Sequence, residues 1–221
     1  ITLKKEWTFI NPNDFYKIIS GKKKIKQRYL MLTFDDGFKS NLTIAKKYLK
    51  RLRLKGIFFI PLKFILLKNA KDKKDFIQNN LKLEKISLNM NNLNTNDIKE
   101  ILYLKNIIGA HTFSHLNLKK IKNKSKLHFE IIGSANRLEK ILKTKIFNFS
   151  FNFGRLKHIS PEILNLSKKR FKYIFTGIRG DNLNSKKIFF RDNISSNDNI
   201  FDLYAYLGGF FDFLYKNERK I

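Results

Sequence analysis

Short apolar runs alternate with longer amphipathic stretches along most of this 221-residue chain. This alternation is typical of repeated strand–helix units, because a buried parallel strand is apolar on both faces whereas a covering helix is apolar on one. The apolar runs predict six strands, at positions 29–34, 57–62, 107–110, 146–151, 172–176 and 188–191.

Helical periodicity predicts the elements between these strands. The helix predicted at 41–53 has an apolar face made of Leu42, Ala45, Leu49 and Leu52, and Gly56 follows its end. A second helix is capped by Asn94 or Thr95 and ends near Leu104. Ser160 and Pro161 begin a third, and two more are predicted at 125–142 and 201–215.

Residues 68–93 differ from the rest, being rich in Lys, Asn and Asp with weak periodicity. We interpret them as an insertion that contains one helix. No Pro/Gly/Ser-rich linker divides the chain, so we expect a single domain over 1–221 with a core of about 29–191. Alternating strands and helices predict a parallel α/β architecture, open or barrel-like, with functional groups at the carboxyl ends of the strands.

The charge is strongly positive, since 46 Lys+Arg against 18 Asp+Glu give a net +28. A nucleic-acid partner would fit such a charge, but the basic residues are spread along the whole chain. Lys, Asn, Ile and Phe are abundant together and share A/T-rich codons, so a composition bias explains the charge, and nucleic-acid binding is not expected. A positive field still favours anionic substrates or surfaces. The absence of Cys excludes disulfides, thiolate zinc ligands and thiol catalysis.

Neither a membrane-spanning segment nor an export signal is visible in the sequence. The longest apolar stretch, 57–67, contains Lys63 and is shorter than the roughly 20 residues of a spanning helix. No signal peptide is visible, but the chain begins with Ile rather than Met, so this excludes no compartment. Bacterial cytoplasm and cell envelope both stay open.

Two of the predicted strand ends carry side chains suited to catalysis. Asp35 and Asp36 follow the first strand, and Gly37 allows the sharp turn that would reorient them. His111 and His115 follow the third strand and would face one point if their segment formed a helical turn. Two imidazoles and one carboxylate are a common ligand set for a catalytic zinc ion.

These segments resemble a known family. The sequence Thr-Phe-Asp-Asp-Gly at 33–37 and the sequence His-Thr-Phe-Ser-His at 111–115 match the first two motifs of polysaccharide deacetylases of the NodB-homology type, carbohydrate esterase family 4. The stretch Phe-Ser-Phe-Asn-Phe-Gly at 149–154 resembles the third motif. The resemblance covers roughly 29–191.

The resemblance implies a deformed (β/α) barrel with fewer than eight strands. It implies a metal-dependent hydrolase that removes an N-acetyl group from an amino sugar of a cell-surface polysaccharide, lipopolysaccharide or peptidoglycan. By position, Asp36, His111 and His115 would bind one divalent metal ion, usually zinc. Asp35 would be the general base, and the backbone N–H of Phe153 would stabilise the oxyanion.

The chain also departs from the family pattern. Asn152 stands where the third motif usually has Pro, and no Arg occupies the motif position that holds the catalytic Asp. Arg191 is our candidate partner for Asp35, and Arg155 is the weaker one. The C-terminal leucine–histidine motif, whose His is the general acid, is missing, because no His follows His158.

Several alternatives remain open from the sequence. The missing general acid favours a non-catalytic carbohydrate-binding relative, whereas the retained Asp35 argues for an enzyme. The alternate aromatics Phe149, Phe151 and Phe153 would either wall a sugar groove or belong to the core. The sugar, the choice among N-acetyl, N-formyl and O-acetyl groups, and the oligomeric state are not determined by these motifs.

Overall fold

The computed structural model describes residues 6–84, 90–195 and 197–221. Its main sheet has six parallel strands in sequential order: β3 (Leu32–Phe34), β4 (Gly56–Ile60), β5 (Ile107–Ala110), β6 (Asn148–Ser150), β7 (Tyr173–Phe175) and β8 (Ile188–Phe189). A short parallel pair, β1 (Thr8–Phe9) and β2 (Tyr29–Leu30), forms a second sheet.

The helices of the described chain connect the strands of this sheet or flank it. They are α1 (Pro12–Ile19), α2 (Ser40–Thr43), α3 (Leu62–Leu66), α4 (Ala70–Asn79), α5 (Thr95–Tyr103), α6 (Lys124–His128), α7 (Ser134–Leu142), α8 (Pro161–Arg170) and α9 (Ile200–Leu207). Short 3-10 turns lie at Leu118–Lys120, Leu156–His158 and Asp212–Tyr215. None of the helices in the described part of the chain combines the length and apolar character needed to span a membrane.

The sheet is apolar on both faces, as expected for parallel strands covered on each side. All five residues of β4 are buried. Phe58 and Ile60 belong to the large core cluster that includes residues of the covering helices, whereas Ile57 and Phe59 join a second cluster with Phe175 and Phe189. Phe15 and other residues of α1 belong to the second cluster. Helix α1 therefore packs on the face of the sheet that carries Ile57 and Phe59.

The sheet curls into a half-barrel. β3 and β8 occupy its two edges, yet Arg191, just after β8, forms an ion pair of 2.8 Å with Asp35, just after β3. Edge strands separated by four others can meet in this way only if the sheet bends round on itself. The expected deformed barrel with fewer than eight strands is therefore confirmed.

Several predicted elements are confirmed with small changes in length. The strand at 107–110 is reproduced, α5 is capped by Asn94 in a reciprocal capping box with Asp97, and Ser160 caps α8 ahead of Pro161. The helix predicted at 125–142 is continuous in backbone conformation, although a π-helical turn at Phe129–Gly133 joins α6 to α7. Strands predicted at 146–151, 172–176 and 188–191 are shorter than expected.

Other predictions were wrong in detail. The single strand at 29–34 is divided between two sheets, as β2 and β3. The helix at 41–53 changes after α2 to a π-helical turn, Ile44–Leu49, and the shift in register leaves Leu52 44% exposed. The helix at 201–215 ends at Leu207, because Gly208 and the left-handed Gly209 (φ 77°) interrupt it.

The Asn-rich stretch 68–93 contains one helix, α4, as predicted. Residues 85–89 of this stretch lie outside the described chain. Its status as an insertion, and that of 1–221 as a single domain, stay predictions.

Candidate active site

The predicted site residues meet at the carboxyl ends of the strands. Asp35 and Asp36 follow β3, His111 follows β5, and Arg191 follows β8. Asp36 and Gly37 both have left-handed backbone conformations with φ of 71°. Asp tolerates this region better than most residues, so the turn expected at Gly37 begins one residue earlier and directs the two carboxylates to different partners.

Three side chains form a compact set of potential metal ligands. A carboxylate oxygen of Asp36 and one ring nitrogen each of His111 and His115 lie within 4.8 Å of one another. Asp36 Oδ1 is 3.6 Å from His111 Nε2 and 3.3 Å from His115 Nε2. Ligands at 2.0–2.1 Å from a tetrahedral zinc ion are roughly 3.3 Å apart, so the donor atoms fit a small divalent cation.

The orientation of both imidazoles supports the same conclusion. His111 Nδ1 donates to the backbone oxygen of Ser150 at 2.8 Å, and His115 Nδ1 donates to the backbone oxygen of Asn80 at 3.0 Å. A carbonyl oxygen can only accept, so each Nδ1 carries a proton. Both Nε2 atoms then face Asp36. Metal-binding histidines are oriented in the same way, by a hydrogen bond from the ring nitrogen that does not bind the metal.

The segment that carries the two histidines is a loop, so the expected helical turn was wrong. Thr112 and His115 have left-handed φ angles of 62° and 54°. The Thr112 hydroxyl accepts the backbone N–H of His115 at 3.0 Å, which closes the turn. Convergence of the two rings therefore comes from local backbone geometry and not from helical spacing.

Asp35 is paired with Arg191. The Arg191 guanidinium donates to both carboxylate oxygens of Asp35, Nη1 to Oδ1 at 2.8 Å and Nη2 to Oδ2 at 2.9 Å. Its three remaining donors reach Thr176 O at 2.8 Å, Ser150 Oγ at 2.6 Å and Thr33 Oγ1 at 3.1 Å. Arg155, the weaker candidate, is instead paired with Glu218. The two-pronged contact of Arg191 with Asp35 fixes the orientation of the carboxylate as well as neutralising its charge.

Electrostatics keep both carboxylates ionised. Burial by itself would raise the pKa of Asp35, but Arg191 and His111 hold that pKa below its usual value. Burial likewise opposes ionisation of Asp36, and hydrogen bonds to His111 and His115 lower the pKa of Asp36 well below the ordinary range. Despite its burial, His111 has a raised pKa because Asp35 and Asp36 face it. Because Arg191 neutralises Asp35, the ionised Asp36 carboxylate is the anionic member of the candidate ligand set, and it suits a cation.

The aromatic residues of the third motif have two different environments. Phe149 and Phe151 are buried at 0% and 2% exposure, so the idea that they wall a sugar groove was wrong. Phe153 is 37% exposed, and its ring lies 5.2 Å from the His115 ring. Within the described residues, the Phe153 N–H makes no hydrogen bond. A free amide beside the candidate ligands remains available to a bound molecule.

The third-motif loop packs directly on the loop after β7. The Gly154 oxygen accepts from Gly177 N at 3.0 Å, and a Cβ at Gly154 would lie 2.1 Å from the same nitrogen. This close approach requires glycine. The Phe153 ring also lies 5.6 Å from the His158 ring, so it contacts both His115 and His158.

Several residues that support the site were not predicted to do so. The Glu130 carboxylate accepts from the backbone N–H groups of Phe113 and Ser114 and from the Ser114 hydroxyl. Its position on the apolar face of the 125–142 helix, three residues after Leu127, was the available signal. The backbone oxygens of Asn80 and Ser150 orient the two histidines, and a backbone atom has no signal in the sequence.

The comparisons with known proteins agree with this geometry. The family model described as polysaccharide deacetylase matches residues 22–170. The chain belongs to the polysaccharide deacetylase family. The family-model match ends before β7 and before Arg191. No match was found among the curated proteins.

Several solved structures share the fold of this chain. The Streptococcus pyogenes deacetylase PplD, in complex with acetate, is 18% identical with a TM-score of 0.71, over 92% of this chain and 81% of that one. IcaB from Ammonifex degensii is 15% identical with a TM-score of 0.66, over 91% of this chain and 82% of that one. BC0361, a polysaccharide deacetylase from Bacillus cereus, is 19% identical with a TM-score of 0.66, over 91% of this chain and 56% of that one.

Proposed function

We propose that this deacetylase is a metal-dependent hydrolase that removes an N-acetyl group from an amino sugar of a cell-surface polysaccharide, lipopolysaccharide or peptidoglycan. The observation that carries the proposal is the placement of Asp36, His111 and His115 around one point, with the Asp35–Arg191 pair beside it. His111 Nε2 is 3.8 Å from Asp35 Oδ2, so the candidate base adjoins the candidate ligands.

In this proposal Asp36, His111 and His115 hold one divalent ion, most simply zinc. When bound, such an ion supplies a Lewis acid that polarises the acetyl carbonyl and makes water more acidic. The donor set of one carboxylate and two imidazoles suits zinc and several neighbouring transition metals.

Asp35 takes the proton from the attacking water. Its lowered pKa keeps it ionised at neutral pH. Arg191 donates to each carboxylate oxygen, and Ser150 Oγ also donates to Oδ2 at 3.5 Å, so Oδ1 retains a second lone pair to accept the proton. The Phe153 N–H donates to the oxyanion that forms as water adds to the amide carbon.

A proton must then reach the leaving amine, and the missing C-terminal His leaves this role without its usual residue. This observation favours the second candidate function, a carbohydrate-binding relative that keeps the fold without turnover. The retained Asp35–Arg191 pair supports the enzyme, because binding alone requires no ionised, oriented base beside the ligand set.

The first test is the metal content of the purified protein by elemental analysis. We expect close to one ion per chain, lost in the double variant His111→Ala/His115→Ala and retained in His128→Ala, which removes an exposed histidine. Full occupancy in the double variant would refute the ligand set.

The second test measures acetate release from N-acetylated and O-acetylated oligosaccharides in parallel. Release from the N-acetylated substrate alone supports the proposed reaction. A metal-loaded protein that binds glycan and releases acetate from neither substrate would support the non-catalytic candidate.

A further inference from the structure

The two candidate histidine ligands are held by different parts of the molecule. His111 Nδ1 is anchored to Ser150, a residue of strand β6 in the centre of the sheet. His115 Nδ1 is anchored to Asn80, the capping residue directly after helix α4 in the Asn-rich stretch 68–93. One ligand therefore depends on the sheet, and the other depends on a segment outside the strand–helix repeat.

Asn80 makes two contacts with the loop that carries the second motif, residues 111–115, here called the motif-two loop. Its backbone oxygen accepts from His115 Nδ1 at 3.0 Å, and its side-chain Nδ2 donates to the backbone oxygen of Ser114 at 2.6 Å. The two contacts run in opposite directions and engage adjacent residues, so they restrain both the His115 ring and the backbone that carries it.

The end of α4 is itself firmly placed. Phe76 and Ile77 are buried, and the Phe76 ring stacks on Phe64 of α3 with centroids 4.8 Å apart. At the start of α3, Lys63 N donates to Phe113 O at 2.7 Å. The start of α3 and the end of α4 therefore both contact the motif-two loop, and these two helices pack on each other.

We propose that Asn80 is the positioning residue for His115, and that its paired contacts set the ring orientation that leaves Nε2 free for the metal ion. This inference rests on the proposed function, in which His115 is a ligand. It assigns the Asn-rich stretch a part in the site, through a residue that the family motifs do not include.

The test compares Asn80→Leu, which keeps the size of the side chain but removes the donor, with Asn79→Leu on the exposed neighbouring residue. Zinc affinity is measured by competition with a chromophoric chelator. Asn80→Leu keeps the backbone oxygen that accepts from His115 Nδ1 and removes the Nδ2 contact that restrains the adjacent Ser114 backbone. Loss of such an outer contact should weaken metal binding about 10-fold, the low end of the usual range. We expect that loss in Asn80→Leu and wild-type affinity in Asn79→Leu; equal affinity in both would overturn the proposal. Asn80→Ala repeats the test if Asn80→Leu fails to fold.

A second readout needs no metal. In the metal-free protein labelled with ¹⁵N-histidine, the Nδ1–H protons of His111 and His115 are observed by NMR. We expect Asn80→Leu to broaden the His115 signal by faster solvent exchange and to leave the His111 signal unchanged. Unchanged His115 exchange would refute the positioning role. Failure of the wild-type protein to bind zinc, cobalt, nickel or manganese would instead refute the proposed metal dependence, and the proton signals would still decide the role of Asn80.

Discussion

Adjacent aspartates acquire different environments because the backbone turns between them. Asp35 faces the guanidinium of Arg191, whereas Asp36 faces the imidazoles of His111 and His115. The left-handed conformation of Asp36 makes this separation possible. Identical side chains can therefore take the proposed roles of base and ligand because their nearest partners differ, although His111 Nε2 lies 3.8 Å from Asp35 Oδ2 and 3.6 Å from Asp36 Oδ1.

At the residue scale, we predict that Asp35→Asn abolishes turnover and leaves the metal bound. The amide keeps the shape of the carboxylate but cannot accept the proton, so kcat should fall at least about 100-fold, the low end of general-base contributions. Metal occupancy and kcat are measured together, with Asp75→Asn on the exposed face of α4 as the control. Unchanged turnover would show that Asp35 is not the base.

A second prediction concerns the pH dependence of activity in Arg191→Lys. Arg191 lowers the pKa of Asp35 against the opposing effect of burial. Lysine cannot reproduce the two-pronged contact, so the pKa of Asp35 should rise. A base with a higher pKa becomes ionised only at higher pH, and the acid limb of the kcat/KM profile should move upward in pH.

The matched control for that profile is Arg155→Lys, which alters an arginine paired with Glu218 and not with Asp35. Its acid limb should coincide with that of the wild type. Coincident profiles for all three proteins would mean that Arg191 does not control the ionisation of Asp35.

At the element scale, the π-helical turn after α2 determines which apolar residues reach the core. Leu49 is 3% exposed, whereas Leu52, three residues later, is 44% exposed. A regular helix would place both on one face. The wider turn at Ile44–Leu49 and the irregular residues after it rotate Leu52 away.

We therefore predict unequal costs for two substitutions that look alike in the sequence. Leu49→Ala should lower the free energy of unfolding by about 2–5 kcal/mol, because it removes a buried side chain and leaves a cavity. Leu52→Ala should cost less than about 1 kcal/mol. Urea unfolding followed by circular dichroism measures both free energies of unfolding. Equal losses of stability would support the regular helix predicted from the sequence instead of the π-helical turn.

At the scale of the whole molecule, the C-terminal segment is tied to the candidate site. The Glu218 carboxylate pairs with Arg155 and accepts the backbone N–H of Leu156 at 3.0 Å. Arg155 also lies 4.4 Å above the Tyr215 ring. These contacts hold Arg155 and Leu156, just after the third motif. The position of Phe153 depends on this short segment, which follows it directly in the chain.

We predict that Glu218→Ala loosens this loop without unfolding the protein. The Leu156 amide should exchange with solvent faster, and kcat should fall while metal occupancy is retained. Hydrogen exchange measured by NMR compares it with Glu162→Ala, which removes an exposed carboxylate at the start of α8. An unchanged Leu156 amide would separate the C-terminal segment from the site.

The sequence by itself determined the features that depend on short stretches of chain. Apolar runs located the six strands of the half-barrel, and capping residues such as Asn94 and Ser160 located helix starts, because both signals are local. The motif at 33–37 and the motif at 111–115 identified the side chains that the structure brings together, because their residue types and spacing are specific.

Only the tertiary structure decided how those side chains are supported. Arg191 reaches Asp35 across 156 positions because the sheet curls, and the sequence could name it only as a candidate. The backbone oxygens of Ser150 and Asn80 orient the histidines, and a backbone atom carries no mark of its role in the sequence. The burial of Phe149 and the exposure of Leu52 depend likewise on packing between distant elements, which periodicity along one segment does not contain.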